Sequence, residues 1–175
     1  MPILPIWNKS GLKVSYIYKL ATMSEKMNEE ATYFEISDSG DLIRIELLGL
    51  SHPNAEMDWD KNWVKAIVEV KAGVFSGKFK ADFMNVDFVS FKNELAKLYE
   101  KLNGIASFQT LEDQVDIKIF GDGIGHLNAK CVVMDDAGNG NRLEFEIDFD
   151  QTHIPNILNQ LEKIVAKFPQ IGELN

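Results

Sequence analysis

The chain has 175 residues, 45% hydrophobic and 26% charged, with 18 Lys and Arg against 27 Asp and Glu for a formal net charge of −9. That is enough chain for one ordinary domain with a sizeable core, and the composition is typical of a soluble globular protein. The acidic balance argues against unspecific nucleic-acid binding, where phosphate neutralisation needs clusters of Lys and Arg; it keeps a cytosolic protein in solution and would steer a basic partner toward it.

The opening segment, MPILPIWNKSGLKVSYIYKLATMSEK, has neither the long apolar region nor the small-residue cleavage site of a secretory signal. No apolar run anywhere reaches the roughly 20 residues of a membrane span. A cytoplasmic location is therefore expected. Residues 1–30 fit neither helix nor strand periodicity and read as a poorly ordered or accessory lead, suited to act as an arm onto another chain. Residues 31–175 read as a single α+β domain.

TYFEIS and DLIRIELLGL read as two strands joined at Asp38-Ser39-Gly40-Asp41. In the second, apolar and polar residues alternate from Leu42 to Leu47, the mark of a half-buried strand. SHPNAEMDWDKN reads as a loop. WVKAIVEVKA places Val64, Ala66, Val68 and Val70 on one face, and VFSGKFKADF does the same with Phe75, Phe79, Ala81 and Phe83. The period then changes. Phe88, Phe91, Leu95, Leu98 and Leu102 fall on one helical stripe, with Asp87 at a cap or first-turn position and Gly104 just beyond the end.

The second half repeats this plan. IASFQTL, VDIKIFG, HLNAKCVVMDD and RLEFEIDF read as strands, the last with Glu144, Glu146 and Asp148 on its polar face. HIPNILNQLEKIVAKFP is the closing helix, with Pro155 tolerated in its first turn. Phe79, Ala81 and Phe83 match Phe145, Ile147 and Phe149, and the two helical stripes match residue for residue. Each pair stands 66 positions apart, as with 79 and 145. Two βββα-like halves are inferred, by duplication or by convergence on one pattern. Short turns imply antiparallel pairing, so the expected architecture is a large antiparallel sheet of about seven or eight strands with two amphipathic helices on one face.

No residue constellation announces catalysis. GDGIG, Gly121–Gly125, lacks the dinucleotide spacing and a following helix, so it reads as a hairpin turn. DDAGNGN has some calcium-ligand types without the EF-hand spacing or its terminal Glu, and reads as a turn with solvated acids. His52, His126 and His153 are not at metal-ligand spacing. The single cysteine, Cys131, allows no intrachain disulfide and reads as a small buried strand residue. Trp59 and Trp63 stand among acids in EMDWDKNWV. Trp63 should pack at the start of its strand, while Trp59 lies in the loop, either bonded to a backbone carbonyl or part of a contact patch.

The D-W-D-x-N-W run at Asp58–Trp63, the F-x-G-x-F at Phe75–Phe79 and the G-N-x-L-x-F at Gly140–Phe145 resemble the WapI-type immunity proteins of bacteria. So does the tail, Asp150-Gln151-Thr152, a helix and Lys167-Phe168-Pro169. The resemblance spans roughly residues 33–170. It implies a cytosolic protein that neutralises the toxic C-terminal domain of a contact-dependent or polymorphic toxin, in the type system a tRNA-cleaving nuclease, with no catalysis and no cofactor.

The expected function is accordingly a toxin-neutralising partner of a basic toxin domain. Glu56, Asp58, Trp59, Asp60, Glu144, Glu146 and Asp148 are the candidate contacts, and no catalytic, cofactor-binding or metal residues are assigned. The alternative is a small-molecule or metal-binding domain or an enzyme, which would gather His126, His153, Asp122 and Asp150 in a cavity. A third possibility is self-assembly through a sheet edge or the N-terminal lead.

Overall fold

A computed structural model describes residues 31–172; the lead at residues 1–30 lies outside them. Strands β1 (Thr32–Asp38), β2 (Asp41–Leu50), β3 (Trp63–Ala72) and β4 (Phe75–Met84) form one antiparallel sheet in sequence order. Strands β5 (Asn103–Gln109), β6 (Val115–Asp122), β7 (His126–Met134) and β8 (Arg142–Asp150) form another. One helical turn, α1 (Asp58–Lys61), lies between β2 and β3. The long helix α2 (Asn85–Lys101) follows β4, and α3 (Ile154–Lys167) follows β8 through a 3-10 turn, Gln151–His153.

The α+β class, the antiparallel pairing and the strand count are as the periodicity implied. The finer arrangement is that the eight strands hydrogen bond as two sheets of four, each half being ββββα. Direct passage from α2 into β5 separates the two ladders. Leu102, rather than Gly104, takes the left-handed conformation that ends α2 (φ 56), and its N–H reaches the Leu98 carbonyl at 2.7 Å. Gly104 lies inside β5 instead. The Leu102 carbonyl accepts the Gly123 N–H at 2.7 Å. It also lies so close to Gly121 that any Cβ there would collide with it.

Each helix covers the edge of the other half's sheet. α2 packs along β5, where Glu94 Oε2 accepts the Ser107 N–H at 2.8 Å. α3 packs along β1, where Gln160 Oε1 accepts the Glu35 N–H at 3.0 Å. An edge-strand N–H left unpaired invites another strand, and here a helix side chain occupies it. Glu94 and Gln160 are themselves 66 positions apart, so the repeat read from apolar stripes extends to this polar device.

Phe34, Phe83, Phe88, Phe91 and Phe108 are all under 2% exposed and form the centre of the core. Phe108 has its ring centroid 5.5, 5.8, 5.1 and 5.6 Å from those of Phe34, Phe83, Phe88 and Phe91. Such tilted and edge-on pairs add about 0.5–1.5 kcal/mol each beyond area burial. Val64, Ala66, Val68 and Val70 are buried as their alternation required. Phe75 is not: it is 65% exposed, beside Val74 at 94%. The inner faces of β4 and β8 are covered only toward the ends that lead into the helices. Ala81, Phe83, Ile147 and Phe149 are buried there, while Phe79, Leu143 and Phe145 are half-buried. Among the described residues no helix is long and apolar enough to cross a membrane.

Candidate functional site

The two long helices begin at equivalent corners. The Asn85 N–H donates to the Asn62 carbonyl, just before β3, and the Gln151 N–H donates to the Gly125 carbonyl, just before β7, each at 2.9 Å. Residues 85 and 151 are again 66 apart.

At the first corner the expected loop contains α1. Behind it, Asn62 is fully buried and Asn85 nearly so. Asn62 Nδ2 donates to the carbonyls of Asp58 (2.7 Å) and Ile171 (2.8 Å), while its Oδ1 accepts from Asn85 Nδ2 (2.7 Å) and the Ile171 N–H (2.8 Å). Asn85 Nδ2 also donates to the Pro169 carbonyl at 2.9 Å, and Asn85 Oδ1 is left without a partner. This network ties α1, the start of α2 and the C-terminal segment 169–171 together. Sequence reasoning passed over it, because each asparagine taken singly is an ordinary turn or cap residue. Their pairing exists only once the β3–β4 hairpin has brought them together.

α1 displays the first set of candidate contacts. Glu56, Asp58 and Trp59 are exposed and Asp60 is half-buried. Asp58 is paired with Lys61 at 2.8 Å. Trp59 is 40% exposed and forms one wall of a groove of about 420 Å³ between α1, the first turn of α2 and the β5–β6 loop. Val86, Asp87, Leu111 and Asp113 also line it. Asp87 Oδ2 accepts the Met84 N–H at 3.3 Å, the expected first-turn role. Burial pushes its carboxyl up from 3.8 to about 6, against the lowering effect of that bond. Trp63, by contrast, is half-buried at the start of β3.

The second set, Glu144, Glu146 and Asp148, is exposed along β8. Arg142 pairs with Glu144 at 3.0 Å and Lys130 with Glu146 at 3.6 Å, while Asn128 Nδ2 donates to Glu146 (3.1 Å) and Asp148 (2.7 Å). The first set lies in the β2–β3 connection and the second on β8, and among the described residues no ion pair or hydrogen bond of either set reaches the other.

At the second corner a shallow concavity of about 540 Å³ gathers Asp38, Asp122, His126, Asp148 and Asp150. Three of the four residues proposed as a small-molecule or metal cluster thus share one hollow. The fourth, His153, is not in its wall and instead packs its ring 6.0 Å from that of Phe149. The carboxylates are occupied with local structure. Asp122 accepts the Ile124 N–H (2.8 Å) and the His126 N–H (3.1 Å), and its other oxygen meets His126 Nδ1 at 2.9 Å. The Ile124 bond is the main reason its carboxyl sits below the usual range. Asp150 is lowered chiefly by the Thr152 hydroxyl (2.5 Å) and then by the Thr152 N–H (2.7 Å), the two bonds that cap the 3-10 turn. Among the described residues no three His, Cys, Asp or Glu side chains are placed to hold a metal ion.

Cys131 is buried, and burial, followed by the charge of Asp116, pushes its thiol up to about 12; at neutral pH it is no nucleophile. Asp135 closes the β7–β8 turn by accepting Asn141 Nδ2–H at 3.1 Å and Asn141 N–H at 2.7 Å, and the side-chain bond first, then the backbone one, holds its carboxyl low. GDGIG forms the β6–β7 hairpin, as its spacing implied.

The arrangement is therefore an α+β protein whose most accessible chemistry is acids set beside exposed aromatic and aliphatic side chains. The profile described as "Immunity protein WapI-like family" matches residues 34–169, most of the chain. The chain belongs to that family. No curated protein matches it. Among solved structures it is similar to "Crystal structures of trypanosoma bruciei MRP1/MRP2", with a TM-score of 0.47 and 12% identity over 85% of this chain and 93% of that one. A likeness of that size is no sign of shared function.

Proposed function

We propose that this chain is a cytoplasmic immunity protein that neutralises a bacterial toxin domain by stoichiometric contact. Membership of the immunity family across residues 34–169 is the observation that carries the reading. The charge of −9 supports it. A toxin that cleaves tRNA must attract phosphate and so presents a basic site, which an acidic inhibitor occupies by charge complementarity. Glu56, Asp58, Trp59 and Asp60 on and before α1, and Glu144, Glu146 and Asp148 on β8, are the contacts this reading assigns.

The test is co-expression with the toxin domain encoded beside this chain. Cells that survive only when both are made, and a complex that co-purifies at one to one, are the expected results. Death in the presence of abundant folded protein would refute the reading. A second reading, small-molecule binding, is favoured by the hollow of about 540 Å³ that Asp122, His126 and Asp150 share. A thermal-shift screen of small polar metabolites measures it, and a saturable stabilisation lost in His126→Ala would establish it.

A further inference from the structure

The groove beside Trp59 has an internal counterpart on the first sheet. There, the Arg44 guanidinium lies 3.5 Å from the centroid of the Tyr33 ring and between two carboxylates, Glu35 at 3.6 Å and Glu46 at 3.7 Å. An aromatic face and two acids thus hold an arginine within the chain. The groove repeats that set without the arginine. Trp59 supplies the aromatic face, Asp87 and Asp113 supply the acids, and no Lys or Arg lines it. Leu111, which also lines the groove, is 61% exposed, and Met57, two residues before Trp59, is 66% exposed. An indole is the best ring for a cation, and exposed aliphatic groups around it supply the apolar rim that excludes water from a bound side chain.

We infer that the Trp59–Asp87–Asp113 groove is the anchor point for an arginine side chain of the toxin domain, stacked on Trp59 and paired with the two carboxylates. This rests on the proposed function and deepens it by naming the contact. Guanidinium suits the site better than ammonium, because its plane stacks on an indole while its fork of donors meets carboxylates on either side. Asp87 Oδ2 is committed to the Met84 N–H, which leaves Oδ1 for the incoming cation. In the free protein burial penalises the Asp87 charge, and a paired cation relieves that penalty. The β8 acids are a different kind of surface. They already have Arg142, Lys130 and Asn128 beside them, and they act on encounter rather than on lifetime.

The experiment has two arms. In the first, isotope-labelled protein is titrated with N-acetyl-L-arginine methylamide and with its uncharged norleucine analogue, and amide and indole NMR shifts are followed. Saturable shifts confined to the Trp59 indole and the Asp87 and Leu111 amides, for the arginine compound alone and lost in Asp87→Asn, are expected. Shifts spread over the acidic surface, or equal for both compounds, overturn the site.

In the second arm the toxin domain encoded beside this chain is bound to wild type, Trp59→Ala and Asp87→Asn, each shown to be folded by its melting curve. Each variant should raise Kd about thirtyfold, the size of a hot-spot loss, mostly through faster dissociation. Binding by both variants within about twofold of wild type, inside the range of near-neutral interface positions, overturns the inference and leaves the proposed function standing. A wild-type chain that neither binds nor protects refutes the function, and the first arm still decides the groove.

Discussion

The corners where α2 and α3 begin share one backbone hydrogen bond and differ in almost everything attached to it. At the first, Asn62 and Asn85 fill the space with amides and hold residues 169–171 against them, and α1 builds a groove on the outside. At the second, Gly125 stands where Asn62 does, at φ 107, and a Cβ there would press on the Gln151 side chain. The result is an open acidic hollow whose carboxylates brace a turn and a cap. The helix-to-edge contacts show the same division: Glu94 and Gln160 do one job with different charge. The backbone hydrogen bond is the same in both halves. The side chains around it differ, and the Trp59 groove, which the first half builds together with the β5–β6 loop, has no counterpart at the second corner.

The comparison can be broken at its root. If the halves are one cooperative unit, Phe108→Ala, a change on β5 that strips contacts from β1, β4 and α2, should cost about 3–5 kcal/mol in denaturant unfolding with a single transition. Two separate transitions would mean that the halves are independent. Next in size is Asn62→Ala. It deletes four hydrogen bonds and leaves buried donors and acceptors facing one another, for an expected loss of about 2–4 kcal/mol. Hydrogen exchange should rise first at the Ile171 amide.

The edge contacts sharpen the contrast further. Glu94→Ala should cost about 1.5–3 kcal/mol, the range for bonds to a charged group, and Gln160→Ala about 0.5–1.5 kcal/mol. Equal losses would show that the charge is immaterial. Comparable in size to the Gln160 contact is the effect of Asp87. Its folded carboxyl keeps a proton up to about pH 6, whereas the unfolded one releases it near 3.8. The folded state binds more protons in that window, so stability falls as pH rises from about 4 to about 6. Solvent screening at a partly exposed group trims the effect to about 1–2 kcal/mol. Asp87→Asn should flatten that slope in a series of melts. Below the window the slope reverses, because Asp122, Asp135 and Asp150 are held low in the fold and lose their stabilising bonds on protonation.

Most of the fold was legible because strands and helices here carry clean periods. The alternation from Val64 to Val70 and the stripe from Phe88 to Leu98 each name a buried face without help from neighbours. Phe75 shows where that logic stops. It continues the apolar face of β4 but ends up exposed, because periodicity gives the face and not how far a helix extends over it. The division into two sheets was hidden for a related reason. A turn residue such as Leu102 reverses the chain without marking its conformation in its residue type.

Trp59 could be singled out as a candidate contact from residue type alone. Asp87, Leu111 and Asp113 could not, since they come from an α2 turn and a β5–β6 loop that meet α1 only in three dimensions. His126, Asp122 and Asp150 were gathered as a hollow would need, yet their geometry serves hairpin and cap.

The crossed edge contacts also constrain the order of assembly. Glu35 and the Gln160 that receives its N–H are separated by 125 positions, whereas Ser107 and Glu94 are only 13 apart. A chain emerging from the ribosome can shield β5 almost as soon as it is made. β1, the earliest strand of the sheet, stays bare until the last helix has been synthesised. The first strand of this sheet is thus the last to be sealed, and a nascent chain stalled before residue 160 offers a sticky border to whatever strand is near.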